Sequence, residues 1–513
     1  MSSILTNNGA MVALQTLKSI NSDLSTTQSQ ISTGKSVASA KDNASVWAIS
    51  KVMESDVKGF QAISDSLALG QSSVAVAANA AETVTDLLTD IKGKIVAAQE
   101  SNVDREKIQT DIEALTSQIK SVVGAAQFNG LNLVKGTEDV NILSSLDRAS
   151  DGSVTASDIT IARQDLSVDK GSYNASGQDL SVNAVVADTA TAVASAGNTA
   201  VVTLTGDWDD GDASTITIGN VDVTYTAGAD DQTATNAADY FKAQINALGL
   251  DGVTAENTAG ELTITSTKSF EGLDIAVDHS GVSGGAGAGD ITALNGATGL
   301  TDSSGTIANR AEQIDFSTSA QVNDGDGYKI TIGSDSYNYV AGKNETMEDV
   351  AKGLKTAIDA AGIEGVTTKV VQDSTSSQWS LKVDNDGSGS TSLSFGAAGN
   401  AGGRASGGLF GLDTLDVTTN AGADSALSNI ETLINNSIDA AAEFGSAQGR
   451  IESQSNFISN LTDSLKSGIG AMVDADMEEA SARLQALQVQ QQLGVQSLSI
   501  ANQAPQTILS LFR

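Results

Sequence analysis

Apolar residues recur every three and four positions along both ends of this 513-residue chain. In the first part Leu17, Leu24 and Ile31 are seven residues apart, and Leu14 lies beside the same face. The last part repeats the spacing at Ile451, Ile458, Leu461, Leu465, Ile469, Met472, Leu484 and Leu487. Such a seam places one face of a helix against a partner helix. The pattern predicts a mainly α structure at both ends, built from long coiled-coil-like helices.

Between about residues 137 and 420 the pattern changes to short alternating segments separated by Gly, Asp and Asn, which is typical of strands and turns. Ile216–Gly219 recurs as Ile330–Gly333 at an offset of 114 residues, and a helical stretch follows each copy. An internal repeat of this kind indicates two copies of one supersecondary unit. We predict a β-rich connecting region followed by two α+β repeats, over residues 137–200, 201–300 and 301–420.

Helical segments from opposite ends of the chain therefore enclose a β-rich insertion. The simplest topology is a helical hairpin, in which the two ends pair side by side and the insertion lies beyond them. A helix of about 40 residues is roughly 60 Å long, so we expect an elongated, multi-domain molecule. The ends have more apolar surface than one helix pair can cover, which indicates contacts with other copies of the chain.

Proline occurs once, at position 505. It removes a backbone donor and disfavours a helical conformation of the residue before it. We expect Pro505 to end or kink the last helix, so that the apolar residues after it leave the seam at a new angle. A single chain would leave these residues uncovered, which predicts an assembly role for Ile508, Leu509, Leu511 and Phe512.

Two glycines interrupt the first helical region, and Gly34 and Gly130 are both expected at helix ends. The segment ISTGKS ends in Gly34-Lys35-Ser36, as a phosphate-binding loop does. However, Ser29 stands where the first glycine of that motif is required, and no strand precedes it. The helix end is the interpretation that fits.

The formal charge of −35, from 63 acidic residues against 28 Lys and Arg, disfavours nucleic acid and anionic membranes as partners. No apolar run is long enough to span a membrane, and the first residues do not have the pattern of a cleaved signal peptide. Cysteine is absent, which fits either redox compartment. The Thr, Gly, Asp and Asn richness of the middle region resembles extracellular β-modules. Together these features suggest export by a route without a cleaved signal.

The sequence contains few of the residue types that catalytic sites commonly use. Histidine occurs once, at His279, and no thiol is present, so a multi-histidine metal site and a cysteine nucleophile are excluded. We expect no catalytic residue and no cofactor.

One acidic segment, DRASDGSVTASD, resembles a calcium loop in part. Asp147, Asp151 and Asp158 occupy positions 1, 5 and 12 of that loop. However, Ala149 stands at a ligand position, and the usual bidentate Glu is missing. The segment is a weak calcium candidate, and a β-turn between two strands is the alternative.

Four longer segments carry a family resemblance: STGKSVASAKDNAS, QFNGLNLV, GSAQGRIES and the last forty residues from DADMEEASARLQ to the end. They resemble the conserved ends of bacterial flagellins, in the same order and at the same distances from the termini. The resemblance implies a structural subunit that self-assembles into a hollow helical filament for swimming. Carried over by position, residues 1–44 with 473–513 resemble the inner helical domain, and 45–136 with 421–472 resemble the second helical layer.

The resemblance also implies partners and a location. Flagellins are exported unfolded through the flagellar secretion channel, form an extracellular homopolymer, and meet hook-associated and cap proteins. Their export chaperone binds the C-terminal segment, which points to Leu484, Leu487, Leu493, Leu498 and Ile500. The arginine-rich patch of flagellins that a toll-like innate receptor recognises is replaced here by a segment with Asp90, Lys92 and Gly93, so recognition by that receptor is not expected.

The resulting candidate assembly interface combines the seam residues with the tail: Leu14, Leu17, Leu24, Ile31, Leu484, Leu487, Leu498, Pro505, Ile508, Leu509, Leu511 and Phe512. Two alternatives remain open at this point. A hook–filament junction protein has similar terminal helices, and the insertion could carry an adhesin or an enzyme.

Overall fold

The structure is a computed structural model. It describes residues 7–149, 151, 153–180, 185–188, 192–193, 196–206, 208–229, 233–280, 288–386 and 393–511. In this described part of the chain, five α-helices lie at the two ends, three up to Ala125 and two from Asn420 onward, and two short α-helices lie in the middle. The helices are α1 Asn8–Thr33, α2 Ala44–Ala98, α3 Arg105–Ala125, α4 Ala234–Ala247, α5 Met347–Asp359, α6 Asn420–Val473 and α7 Met477–Leu511.

All the described strands lie between α3 and α6 in sequence. They are β1 Gln127–Phe128, β2 Leu131–Asn132, β3 Val140–Arg148, β4 Val154–Ile161, β5 Val185–Asp188, β6 Ala192–Val193, β7 Asn198–Thr205, β8 Ala213–Ile218, β9 Val221–Thr226, β10 Val253–Thr258, β11 Glu261–Ser266, β12 Leu273–Ser280, β13 Ala288–Leu294, β14 Ala297–Asp302, β15 Ser304–Ile307, β16 Glu312–Phe316, β17 Gly327–Ile332, β18 Asp335–Val340, β19 Val366–Gln372, β20 Trp379–Asn385 and β21 Leu393–Asn400. The predicted fold class, helical ends with an inserted β-rich and α+β region, is confirmed.

The ends of the first helix follow from its sequence. The Asn7 side chain accepts a hydrogen bond from the amide of Ala10, which caps the start of α1. Gly34 follows the last residue with a φ of 69°, a left-handed conformation that glycine adopts without strain. The prediction of a helix end at Gly34 is confirmed.

The matching prediction for Gly130 is wrong. Helix α3 has already ended at Ala125, and Gly130 lies with Asn129 in the two-residue turn between β1 and β2. Both turn residues have positive φ, 50° for Asn129 and 81° for Gly130. An Asn-Gly pair between two strands is a hairpin signal, and this signal was available in the segment QFNGLNLV.

By internal contacts the chain forms two compact units. The first contains Met1–Val74, Val140–Ile161 and Ser446–Arg513, and the second contains Ala75–Asp139 and Ala162–Gly445. In the first unit α1 packs along α7. The two helices are antiparallel, because the amide of Asn7 reaches Ala501 at one end, while Gly34 and Ala475 are hydrogen-bonded at the other.

The hairpin of β3 and β4 also belongs to the first unit and packs on the first part of α2. The side chain of Ile142, on β3, is buried and lies directly over Gly70 of α2. Arg148 binds Asp56 of α2 at 2.5 Å, and the Gln454 amide of α6 donates to the carbonyl of Ser144 at 2.8 Å. The hairpin is thus fixed to two helices at three points.

Replacing Gly70 by alanine should loosen this hairpin. An added Cβ would lie 2.9 Å from Cγ2 of Ile142 and nearer still to its Cδ1, so the hairpin must shift, at a cost of about 1–3 kcal/mol. Gly93 in the same helix has nothing within 4 Å of an added Cβ. Gly93→Ala should therefore stabilise the protein by up to about 1 kcal/mol. Thermal unfolding of both variants checks the contrast, and equal shifts would contradict the packing.

The second unit contains two similar β-rich modules. Module A, residues 198–307, has sheets in the orders β10-β11-β7-β13-β14 and β15-β12-β8-β9, with α4. Module B, residues 312–410 together with the earlier strands β5 and β6, has sheets in the orders β19-β20-β16-β5 and β18-β17-β21-β6, with α5. Each module has its own buried core.

The repeat found in the sequence is present in both modules as one order of elements. A hairpin, a helix and a second hairpin follow one another as β8–β9, α4 and β10–β11 in module A, and as β17–β18, α5 and β19–β20 in module B. The equivalence extends to the loops. The amide of Ala227 donates to the carbonyl of Asp212, and the amide of Ala341 donates to that of Asp326, at 2.8 Å in both cases.

Candidate assembly interface

The seam between α1 and α7 is formed by positions three and four residues apart. On α1 the less exposed positions include Leu17, Leu24 and Ile31, and on α7 they include Leu484, Leu487 and Leu498. Six of the predicted interface residues therefore face the seam within one chain. Their role in an interface between copies of the protein stays a prediction, because these side chains already pack between α1 and α7 of a single chain.

Polar contacts and one close approach fix the register of the seam. An added Cβ at Gly494 would lie 3.2 Å from Cδ1 of Leu17, so the two helices come close at this level. The side-chain amide of Gln491 donates to Oδ1 of Asn21 at 2.7 Å. These contacts define a single alignment of α1 on α7.

A second set of apolar side chains on the same helices remains exposed. On α7 the exposed residues include Leu493 at 59% and Ile500 at 63%. With about 100° of rotation per residue, both lie on the side of α7 away from the seam. We call the exposed set the outer stripe; its residues are Met11, Val12 and Leu14 on α1 and Val489, Leu493, Val495 and Ile500 on α7.

Sequence reasoning found only part of the outer stripe. It placed Leu14 in the interface, and it assigned Leu493 and Ile500 to a chaperone site. It missed Val12, Val489 and Val495. The spacing of Val489, Leu493 and Ile500, four and then seven residues, was the available signal.

Helix α7 continues through Pro505 to Leu511, so the expected helix end before the proline does not occur. Ile508, Leu509 and Leu511 lie in this helix, and their side chains, like Phe512 itself, are outside the described residues.

In a helix the nitrogen of Pro505 leaves the carbonyl of residue 501 without its usual donor. The side-chain amide of Asn7 donates to this carbonyl of Ala501 at 2.8 Å. A residue almost 500 positions away thus replaces the bond that proline removes.

This arrangement predicts that Asn7 and Pro505 are energetically coupled. Asn7→Asp keeps the cap oxygen but removes the donor, and it should cost about 1–2 kcal/mol because a carbonyl loses its partner. In a Pro505→Ala background the helix supplies its own donor, so Asn7→Asp should cost measurably less. A double-mutant cycle on thermal unfolding measures the difference. Equal costs in both backgrounds would contradict the coupling.

The segment around Gly34 is a junction between helices. The amide of Ser36 donates to the carbonyl of Val473 at 2.7 Å, and its hydroxyl donates to the same carbonyl at 3.1 Å. Lys35 lies 3.8 Å from the Glu54 carboxylate. These contacts join the end of α1 to the end of α6, and they agree with the helix-end interpretation.

The structure does not bring the three calcium candidates together. Asp147 is on β3, Asp158 is on β4, and Asp158 pairs across the hairpin with Leu143 instead. Asp151 accepts hydrogen bonds from the amide and hydroxyl of Ser153, as a turn residue does. Among the described residues, no three acidic or histidine side chains are close enough to hold a metal ion.

Among the described residues, no helix has an apolar stretch long enough to cross a bilayer.

The chain thus combines paired terminal helices, which carry exposed apolar side chains, with an inserted set of β-rich modules. The bacterial flagellin N-terminal helical region matches residues 4–139, and the bacterial flagellin C-terminal helical region matches residues 427–512. Flagellin A of Rhizobium meliloti (strain 1021) is 31% identical over the whole of both chains. Flagellin of Brucella melitensis biotype 1 is 38% identical over 205 residues, which cover 38% of this chain and 72% of that protein.

The chain belongs to the bacterial flagellin family. It is a structural protein of the flagellum, as the members of this family are. The crystal structure of FlgL from Xanthomonas campestris is 11% identical and covers 81% of this chain and 99% of that one with a TM-score of 0.26. This similarity is too low to support an argument about the fold.

Proposed function

We propose that this protein polymerises with copies of itself into the helical flagellar filament that drives swimming. The observation that carries the proposal is the outer stripe. Seven long apolar side chains of α1 and α7 are each more than half exposed in the single chain. Exposed apolar surface of this kind marks an interaction site. A repeated contact between different faces of neighbouring copies gives an open helical assembly.

In this proposal residues 1–44 with 473–513 form the inner assembly domain, and 45–136 with 421–472 form the second layer. The seam of α1 and α7 then holds each subunit together, while the outer stripe and the tail from Ile508 to Phe512 contact neighbouring subunits. The β-rich modules would lie on the filament surface, outside the cell.

The proposal extends to export and to the partners of the filament, on the basis of the family to which the chain belongs. The subunit would pass unfolded through the flagellar secretion channel and meet hook-associated and cap proteins at the filament ends. An export chaperone on α7 could reach Leu493 and Ile500 directly, because both are exposed. Leu484, Leu487 and Leu498 would become available only when α7 separates from α1.

The test is seeded polymerisation of the purified protein, viewed by electron microscopy, beside a variant without residues 474–513. The full chain should extend the seeds without limit, and the truncated chain should not extend them. Capped growth would indicate a junction protein instead. Equal filament yield from both proteins would contradict assembly through the terminal helices.

A further inference from the structure

A cavity of about 340 Å³ lies in the second unit, where module B meets α6. Its walls come from the loop between β18 and α5, from the segments around residues 163–166 and 406–410, and from α6. Acidic side chains outnumber basic ones on these walls. Five carboxylates, Asp165, Glu345, Asp349, Asp439 and Glu443, face two cations, Arg163 and Lys343.

Glu345 is a partly buried member of these carboxylates, and its hydrogen-bond partner is a neutral hydroxyl. Both of its oxygens lie 2.9 Å from the hydroxyl of Tyr339, which donates to them. Tyr339 is buried, and its ring lies 5.9 Å from that of Phe410. In the described part of the chain no Lys or Arg forms an ion pair with Glu345, since Lys343 instead binds Asp139 at 2.5 Å.

The neighbouring groups add negative charge. Asp349, on α5, accepts hydrogen bonds from the amide and hydroxyl of Thr346, and Asp324 lies on the loop before β17. Burial raises the pKa of the Glu345 carboxyl to about 7, and Asp349 and Asp324 raise it as well, against the lowering effect of the Gly342 amide and the Tyr339 hydroxyl. Burial also raises the pKa of Asp324. Two neighbouring carboxyls therefore favour protonation.

We propose that Glu345 is a proton-binding switch, which tightens the packing of module B against α6 in acid and loosens it in alkali. A neutral carboxyl is accommodated next to Tyr339 and Phe410 without a counter-charge. An ionised one adds a negative charge to a cavity whose wall on α6 already carries Asp439 and Glu443, so ionisation adds repulsion between module B and α6. Two hydrogen bonds hold the walls of the cavity. The backbone amide of Ser406 donates to the carbonyl of Val340 within module B. The side-chain amide of Asn436, on α6, donates to the carbonyl of Gly408 in module B.

The direction of the pH effect follows from linkage. The folded protein holds the Glu345 proton more tightly than the unfolded chain does, because the pKa rises from 4.5 to about 7 on folding. This contribution to stability is therefore complete below about pH 4.5 and is lost as the pH rises to about 7. Above that range the junction should be at its loosest.

The direct test is an NMR titration of the full-length monomer labelled with carboxyl-¹³C glutamate. Glu345→Gln identifies the resonance by its absence. If that variant misfolds, Tyr339→Phe identifies it by an upward shift of its midpoint, since the lowering hydrogen bond is gone. We expect a titration midpoint near 7 for Glu345. A midpoint near the ordinary value of 4.5 would overturn the proposal.

The mechanical consequence is measured by hydrogen exchange of peptides covering residues 339–351 and 433–443, corrected for the intrinsic effect of pH. Protection in the wild type should fall at least threefold between pH 5.5 and pH 8.5. Linkage gives a fall of this size when the pKa of Glu345 differs by about half a unit between the folded and the unfolded protein. Glu345→Gln should retain the same protection at both pH values. Glu348→Gln is the control, because Glu348 lies three residues further on, in the first turn of α5, is partly exposed and binds Lys352. Unchanged protection in the wild type, or the same loss in Glu345→Gln, would refute the switch.

Discussion

Replacing Leu493 and Ile500 together by aspartate should prevent filament growth while the monomer stays folded. Both side chains are more than half exposed on the single chain, so their loss removes little packing within it. Burial of each against a neighbouring copy is worth about 1.5–3 kcal/mol, and a buried aspartate costs more. Since about 1.4 kcal/mol is a tenfold change in an equilibrium constant, the critical concentration for polymerisation should rise at least a hundredfold.

The matched control is Gln492→Asp with Ser499→Asp, which adds the same charge at exposed polar positions of α7 that are not members of the outer stripe. Sedimentation of the polymer over a range of protein concentrations gives the critical concentration of each variant. Circular dichroism of the monomers shows whether the helices are retained. If the control pair blocks growth as strongly as Leu493→Asp with Ile500→Asp, charge alone is responsible and the stripe is not the interface.

Replacing Arg310 by alanine should strongly destabilise module B. The guanidinium binds Asp384 with two hydrogen bonds, from Nε to Oδ1 at 2.8 Å and from Nη2 to Oδ2 at 2.6 Å. The side chains are only 8% and 0% exposed, so the variant leaves a carboxylate buried without its partner. Breaking such a pair costs about 3–5 kcal/mol.

Arg310 also joins the two modules, since its amide donates to the carbonyl of Lys268 in module A. Hydrogen exchange of peptides covering β20 reports the stability of module B directly. Lys242→Ala is the comparison, because Lys242 and Glu256 form an ion pair at 2.7 Å that is largely solvated. That variant should cost no more than about 1 kcal/mol. Similar losses in the two variants would contradict the importance of burial.

The sequence was most informative where structure depends on local pattern. Heptad spacing predicted the long terminal helices, Gly34 predicted the end of α1, and the offset of 114 residues predicted two units of the same element order. Each of these signals lies within a few residues of the feature that it specifies. The hairpin turn at Gly130 was also readable, but the glycine was interpreted as a helix end.

Features set by distant contacts were not accessible in this way. Heptads in α1 and α7 do not say which residues meet each other and which stay exposed, so seam and outer stripe were combined in one predicted interface. Pro505 does not end α7, and Asn7, which supplies the missing donor, is at the other end of the chain. The buried pair of Arg310 and Asp384 and the cavity beside Glu345 likewise depend on packing between elements that no short segment encodes.

The central claim is that the outer stripe becomes buried between subunits. A cryo-electron microscopy structure of filaments grown from this protein tests it most directly. We predict that Met11, Leu14, Leu493 and Ile500 are each buried against a neighbouring subunit, while the α1–α7 seam with its Asn7–Ala501 bond is retained within each subunit. Filaments in which these four side chains remain as exposed as in the single chain would contradict the account.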